Sequence, residues 1–486
     1  MSPILITAII IVYMAILLLI AHITGRNADN SGFFTGNRRS PQAVVALAMI
    51  SSAISGVTFV SVPGSVATSC CSYMQMILGF FVGYVIIAFV LIPIFYRLNV
   101  MSLYEYLNIR FGISSHKTGA WLFFVSKVLG ASLRVFVVCT VLQHLIFSHF
   151  GIPFWFNAFI TMGLVWLYTQ QGGVKSIVWT DALKTVLLVS SVTLCIVFVV
   201  RELGFSAKET VSQIASHPYS HIFFLDDVND PRYFAKQFLA GIFMIVATTG
   251  LDQDLMQKVL SSRSAKESQR NMVVSGILQG FVMFLFLLLG VLLYIYADRT
   301  ALVFEGGDNL FGAVATSTTF PIILGVVFIL GLISSTYSAA GSALTALTTS
   351  FTVDILEGTS RFEELRLRKI RRYVHISMAV LMSLTIIAFE LWSNDSVINL
   401  IYGVASSTYG PLLGMFAFGI FSKRQVRDKL VPLIVIISPA ICFVLDKNSE
   451  AWFGGYHFSF ELLILNAAIT ALGLYLTSLN LKPKNE

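Results

Sequence analysis

The sequence predicts an all-α polytopic membrane protein with about thirteen transmembrane helices. Hydrophobic residues make up 56% of its 486 residues and charged residues only 12%, and its mean hydropathy is +0.81. This composition excludes a soluble domain of the same length. Most apolar segments are about as long as a bilayer is thick, which favours transmembrane helices. The predicted spans are roughly residues 3–23, 43–67, 72–96, 118–147, 152–170, 176–200, 233–252, 271–297, 320–350, 372–393, 396–421, 429–446 and 459–480.

The first segment, Ile4–Ile23, lacks a basic n-region and a small-residue cleavage site, so we expect a retained helix and not a signal peptide. Twenty-four of the 32 Lys and Arg residues lie in one alternate set of connections and six in the other. Because Lys and Arg concentrate in cytoplasmic loops, this predicts an external N-terminus and a cytoplasmic C-terminus. The compact chain favours a bacterial inner membrane. The net charge of +7 follows from these loops and does not indicate a nucleic-acid partner; the expected surrounding is the lipid bilayer.

Two predicted helices are interrupted by small and polar residues. The second span contains ISSAISGVTF followed by Pro63 and Gly64, and the seventh ends in VATTGLDQD. These helices begin corresponding five-helix units, and paired interruptions are typical of a transporter binding site at mid-membrane. Ser/Gly packing with a proline kink is the alternative interpretation. The predicted organisation is an additional first helix and loop (1–42), a first repeat (43–200), an external loop with a short helix near 208–216 (201–232), a second repeat (233–421), and two last helices with a tail (422–486).

The ninth span carries a series of hydroxyl side chains at steps of three and four residues, which places them on one helix face. They are Ser335, Ser338, Ser342, Thr345 and Thr349. Small residues of this kind allow close helix packing. Neutral oxygens are also the ligands that hard cations such as Na⁺ prefer. The pattern alone leaves packing and ion binding as alternatives.

Two charged residues are predicted to lie at membrane depth, where charge is costly and often functional. Asp181 follows the start of the sixth span, with Lys184 three residues later, so an internal ion pair is the alternative to an ion site. Arg134 lies near the middle of the fourth span, and its planar guanidinium suits a carboxylate of a ligand or of the protein. Lys127 lies on the same face, nearer the predicted cytoplasmic side.

Several motifs together resemble the sodium:solute symporter family. The matching segments are GGVKSIVWTD at 172–181, TGLDQDLMQKVLSSRSAKES at 249–268, SAAGSALTALTTSFTVDIL at 338–356 and YGPLLGMFAFGIFSKR at 409–424. The resemblance implies the leucine-transporter fold, in which inverted five-helix repeats are preceded by one helix and followed by two. It also implies sodium as the coupling ion and a small organic molecule as the solute.

The resemblance places the main sodium site between the first broken helix and the hydroxyl-rich helix. Its ligands are then the backbone carbonyls of Ser51, Ile54 and Ser335 and the hydroxyl of Ser338. The family usually has a second hydroxyl at the position of Ala339, so this site has one ligand fewer here.

Some family members have a second sodium site that uses the Asp of the WTD motif. The resemblance transfers this site to Asp181, Ser338 and Ser342, although the neighbouring family hydroxyl is replaced by Gly341. The hydroxyl face and the buried carboxylate therefore meet in one region, which favours ion binding over packing alone.

The residues around the first interruption differ from the pattern of glucose-type members. Ser55 and Thr58, with Arg134, are similar to the set that receives a carboxylate in sialic acid transporters, and Tyr73 and Gln75 are expected to line the same pocket. We therefore expect an anionic solute such as a sialic acid or another sugar acid, carried by alternating access.

A proton-coupled or facilitative carrier, a sensor and an enzyme are the alternatives to a sodium symporter. A proton-coupled or facilitative carrier on the same fold would use Asp181 as its proton site or need no ion. A transporter-like sensor would need an output domain or partner, and the tail after Leu481 is only KPKNE. An enzyme is not expected, since no HExxH, GxSxG or paired-acid motif occurs. We expect a monomer or a weak oligomer.

Overall fold

The computed structural model describes residues 3–26, 28–317, 319–392, 407–456 and 458–479, and these ranges are helical apart from connections and one isolated bridge between Phe224 and Tyr233. The principal helices are α1 (Pro3–Gly25), α2 (Gln42–Ala53), α3 (Gly56–Gly64), α4 (Tyr73–Leu98), α5 (Ile113–Leu145), α6 (Phe154–Thr169), α7 (Val174–Glu202), α8 (Phe234–Gly250), α9 (Gln253–Val259), α10 (Ala265–Thr300), α11 (Ile322–Ile355), α12 (Glu364–Leu391), α13 (Tyr409–Phe421), α14 (Val431–Lys447) and α15 (Leu462–Ser478).

Within the described residues, eight helices are long and apolar enough to cross a membrane, two bent pairs each form one further candidate span, and three shorter apolar helices remain. Each of them overlaps one of the spans predicted above. The number of helices that cross the bilayer stays a prediction. The first part of the predicted span 396–421 lies outside the described residues, as does the tail from residue 480.

The two predicted interruptions are confirmed as sharp breaks. The axes of α2 and α3 differ by 63°, and those of α8 and α9 by 73°. The first break lies at Ile54, whose backbone is extended, and Ser55 then caps α3 by accepting a bond from the amide of Thr58. Pro63 lies inside α3, away from the break, so the proline-kink alternative does not explain the bend. At the second break, Asp252 caps α9.

Helices α4 and α8 approach each other closely at two glycines. A Cβ atom added to Gly79 would lie 2.2 Å from the carbonyl oxygen of Phe238, and one added to Gly241 would lie 2.3 Å from that of Met76. Only glycine permits this backbone contact, as in other membrane helix pairs with small residues at the interface. The contact joins α4 to α8, the first helix of the second broken pair.

Helix α11 lies at the centre of the protein, and every residue from Gly331 to Ser350 is buried. It packs against α2, α5 and α7, so its hydroxyl face meets the first broken helix and the helix that carries Asp181. The loop 201–232 contains the expected short helix, Ala207–Ser216, which begins with a capping box formed by Ser206 and Glu209.

Candidate functional site

The break between α2 and α3 exposes backbone carbonyls in the centre of the protein. The amide of Ile54 still bonds to the carbonyl of Ile50, but the extended conformation at Ile54 ends the helical pattern there. The carbonyls of the last turn of α2, including that of Ser51, therefore have no intrahelical donors. Ser51 and Ile54 are both fully buried, so these oxygens are available to a cation and not to bulk water.

Helix α11 contributes hydroxyls directly opposite this break. The hydroxyl of Ser338 lies 2.9 Å from that of Ser51, and Ser51 also donates to the backbone carbonyl of Asp181 at 3.0 Å. Two of the residues predicted to form the main sodium site, Ser51 and Ser338, thus come together where α2, α7 and α11 meet. Ser335 lies one turn away, and its hydroxyl donates to the carbonyl of Leu332 in its own helix. The family resemblance assigns the carbonyl of Ser335, and not its hydroxyl, to the sodium site.

The carboxylate of Asp181 lies in the same region, and each of its two oxygens pairs with a lysine. Its Oδ1 accepts a bond from Lys184 at 3.1 Å, and its Oδ2 accepts one from Lys258 at 2.7 Å. Lys258 also donates to the hydroxyls of Ser52 and Ser342, and Ser342 donates to Asp181 at 3.0 Å. The ion pair with Lys184 that the sequence left as an alternative is therefore present, and Lys258 adds a second.

These groups extend into a longer buried network. The ammonium of Lys258 lies 3.8 Å from Asp254, which pairs at 2.8 Å with Lys127. Lys127 also pairs at 3.1 Å with Asp252, and Asp252 accepts a hydrogen bond from Tyr409 at 2.7 Å. Lys127 is 9% exposed and points to carboxylates of the second broken helix. The network joins both broken helices to α5, α7 and α13.

Arg134 lies on α5 close to the first break. Val138, one turn further along the same helix face, lies against Gly56, because a Cβ on that glycine would be 3.1 Å from its side chain. Arg134 is partly buried. Among the described residues no hydrogen bond or ion pair involves its side chain. Ser55 and Thr58 lie at the break, with their hydroxyls 3.2 Å apart.

Tyr73 and Gln75 lie beside the loop 201–232. Gln75 donates to the carbonyl of Arg232 at 2.8 Å and accepts from the amide of Phe224 at 3.1 Å, so its amide secures the loop 201–232. Tyr73 lines a cavity of about 810 Å³ at that loop, together with Arg232 and Asp230. Hydrogen bonds from Arg232 lower the pKa of Asp230. Among the described residues no hydrogen bond joins Tyr73 or Gln75 to the break or to Arg134, and their place in the solute pocket stays a prediction.

The residue that sequence reasoning missed is Lys258. In the sequence it lies between the predicted spans 233–252 and 271–297, in a predicted cytoplasmic connection, yet it is fully buried. The hydropathy pattern does not indicate the burial of Lys258, because α9 follows the second break, where the apolar segment has ended. One signal was present: Asp254 and Lys258 are four residues apart, which places opposite charges on one face of a helix.

Known proteins resemble this chain over most of its length. The sodium/sialic acid symporter SiaT of Proteus mirabilis is 23% identical over 94% of this chain and 93% of its own length. The sodium/sialic acid symporter NanT of Aliivibrio fischeri is 23% identical over 88% of this chain and 84% of its own. The human sodium/iodide cotransporter is 25% identical over 82% of this chain, which spans 61% of that protein.

A solved structure of a Na⁺-coupled sialic acid symporter, in a substrate-bound outward-open state, superposes with a TM-score of 0.83, covering 99% of this chain and 98% of that one at 21% identity. This likeness shows the predicted leucine-transporter fold. The sequence model of the sodium:solute symporter family matches residues 33–428. This chain therefore belongs to the sodium:solute symporter family, and it is a multi-pass membrane transporter, not an enzyme, that couples sodium to the movement of a small solute.

Proposed function

We propose that this symporter imports an anionic organic solute, a sugar acid such as a sialic acid, across a bacterial inner membrane. Sodium binds between α2 and α11, at the carbonyls of Ser51, Ile54 and Ser335 and the hydroxyl of Ser338. The solute carboxylate binds Arg134, with Ser55 and Thr58 beside it. The N-terminus is external, the C-terminus is cytoplasmic, and the working unit is a monomer or a weak oligomer.

The observation that carries this proposal is that the guanidinium of Arg134 has no hydrogen bond or ion pair within the described part of the chain. A charged side chain at membrane depth is costly unless it has a partner or faces a water-filled cavity. In the same part of the protein, Lys127 is paired with both Asp252 and Asp254, whereas Arg134 has no such partner among the described residues. A carboxylate matches its fork of donors in geometry and charge.

The solutes of several similar proteins favour an anion. Sialic acid, iodide and monocarboxylates are all negatively charged at neutral pH, and they are the solutes named for the similar proteins. These solutes belong to those relatives. For this chain they define the panel to be tested, with neutral sugars as the contrasting class.

Coupling follows from the position of the sodium site. Sodium bound between the α2 break and α11 stabilises the outward-open arrangement, in which the pocket beside Arg134 is formed. Solute binding then closes the outer side, and the helix bundle rocks to open the inner side. The gradient acts through a difference in sodium affinity between states. Each positive charge moved inward adds about 2.3 kcal/mol per 100 mV.

The test is uptake into proteoliposomes with sodium or potassium outside. The panel is N-acetylneuraminic acid, lactate, iodide and glucose. We expect sodium-dependent uptake of an anion, its loss in Arg134→Ala, and partial retention in Arg134→Lys. The matched control is Arg299→Ala, since Arg299 stacks on Phe205 away from the break. Full uptake by Arg134→Ala, or a preference for glucose, would contradict the proposal.

A further inference from the structure

Lys258 holds its ammonium in a cage of oxygens from three helices. The oxygens belong to Ser52 of α2, Asp181 of α7 and Ser342 of α11. An ammonium has three donors, and each has an oxygen here. One carboxylate and two hydroxyls are also the donor set that suits a hard cation such as Na⁺. A cation provided by the protein itself therefore occupies this cage.

The same residues do not fit a second sodium ion. Both oxygens of Asp181 are bound by ammonium groups, at 3.1 Å from Lys184 and 2.7 Å from Lys258. Ser342, expected as a ligand of the second sodium ion, is bound to Lys258. Ser338, the other expected ligand, lies 2.9 Å from Ser51 at the main site. A sodium ion would be a third cation on one carboxylate.

The surrounding network of ion pairs, which does not include Arg134, is balanced in charge. It contains three carboxylates and three ammonium groups, all at least nine-tenths buried, and every one has an opposite charge within 4 Å: Asp181, Asp252, Asp254, Lys127, Lys184 and Lys258. An added sodium ion would leave this network with one uncompensated positive charge. Uncompensated buried charge is strongly unfavourable.

We propose that the ammonium of Lys258 replaces the second sodium ion, and that this symporter therefore moves one sodium ion with each solute molecule. The ammonium joins α9 to α2, α7 and α11. Only the ion at the main site is exchanged between the two sides. The inference rests on sodium-coupled symport and not on the identity of the solute. If the solute is the monovalent anion proposed above, transport is also electroneutral.

The first experiment measures the sodium-to-solute ratio. Uptake of radioactive sodium and of the labelled solute is followed in proteoliposomes whose voltage is clamped with potassium and valinomycin. We expect a flux ratio of one and a Hill coefficient of one for sodium. A ratio of two, with a Hill coefficient approaching two, would overturn the proposal. The measurement uses whichever panel solute is carried, so an error about the anion is detected separately from an error about the stoichiometry.

A variant removes the built-in cation. In Lys258→Ala, the cage regains a free carboxylate oxygen and two free hydroxyls, so we expect the melting temperature to depend more steeply on sodium than in the unmodified protein, but not on potassium. Lys208→Ala, in the exposed short helix of the loop, is the control. An unchanged sodium dependence in Lys258→Ala would show that Lys258 does not occupy a cation site. If this variant fails to fold, the flux ratio of the unmodified protein decides alone.

Discussion

Replacing Asp181 by Asn should destabilise the protein strongly, because one carboxylate neutralises two buried ammonium groups. At an effective dielectric constant of about 20, unit charges 2.7 Å apart attract by about 6 kcal/mol, and those 3.1 Å apart by about 5 kcal/mol. Desolvation offsets much of this attraction. Breaking a buried pair by removing one partner typically costs about 3–5 kcal/mol, and we expect Asp181→Asn to fall in that range.

Removing Lys258 alone, and then together with Asp181, tests whether the charges of the network depend on each other. In Lys258→Met, Asp181 keeps Lys184 and Asp254 keeps Lys127, so we expect a smaller loss of about 2 kcal/mol. The double variant removes one charge of each sign and restores neutrality. Its cost should be less than the sum of the single costs by about 2 kcal/mol, as expected for residues in direct contact.

The assay is equilibrium unfolding in mixed detergent micelles for the unmodified protein, both single variants and the double variant. Asp446→Asn is the control, because Asp446 is exposed at the end of α14 and forms no ion pair among the described residues. Additive losses, or a loss below about 1 kcal/mol for Asp181→Asn, would refute the interpretation of the network as a set of mutually dependent charges.

Two further predictions concern the sodium site and helix packing. Ser338→Ala should raise the sodium concentration for half-maximal uptake about tenfold, because a ligand oxygen worth about 1.4 kcal/mol is lost; Thr349→Val, on the same helix, should not, and equal effects would contradict the assigned site. Gly79→Ala should lower the free energy of unfolding by about 1–3 kcal/mol, because the methyl group meets a backbone carbonyl of α8 at 2.2 Å. Gly163→Ala, where no atom lies within 4 Å, is its control in the same unfolding assay, and equal losses would argue against the close contact.

Much of the candidate site could be predicted because its residues belong to local patterns. Ser51 and Ile54 lie at an interruption that is visible as a cluster of small residues within an apolar segment. Ser338 and Ser342 share a face through the helical period alone. The structure brings Ser51 within 2.9 Å of Ser338 and Ser342 within 3.0 Å of Asp181. These contacts were expected from the family resemblance and not from the sequence patterns themselves.

The positions of other residues were not predictable in the same way. The sequence analysis expects Gln75 to line the solute pocket, and no local pattern indicates its tertiary contacts. Its partners are backbone groups of Arg232 and Phe224, about 150 residues away in the chain. Lys258 lies in the sequence between two predicted spans, where basic residues are typical of cytoplasmic loops. Its three oxygen partners come from helices that are widely separated in the sequence. A helical or strand periodicity acts over a few residues and cannot predict such contacts.

The sequence by itself determined the helical membrane architecture, the two broken helices and the family. These properties follow from hydropathy, from residues that cannot continue an apolar helix, and from contiguous motifs, all of which act over short distances along the chain. Only the tertiary structure decided which buried charges neutralise each other. Asp181 is shared by Lys184 and Lys258, while Arg134 has no partner among the described residues. Pairing of buried charges depends on distances of a few ångströms between helices, because electrostatic attraction and desolvation both change steeply over that range.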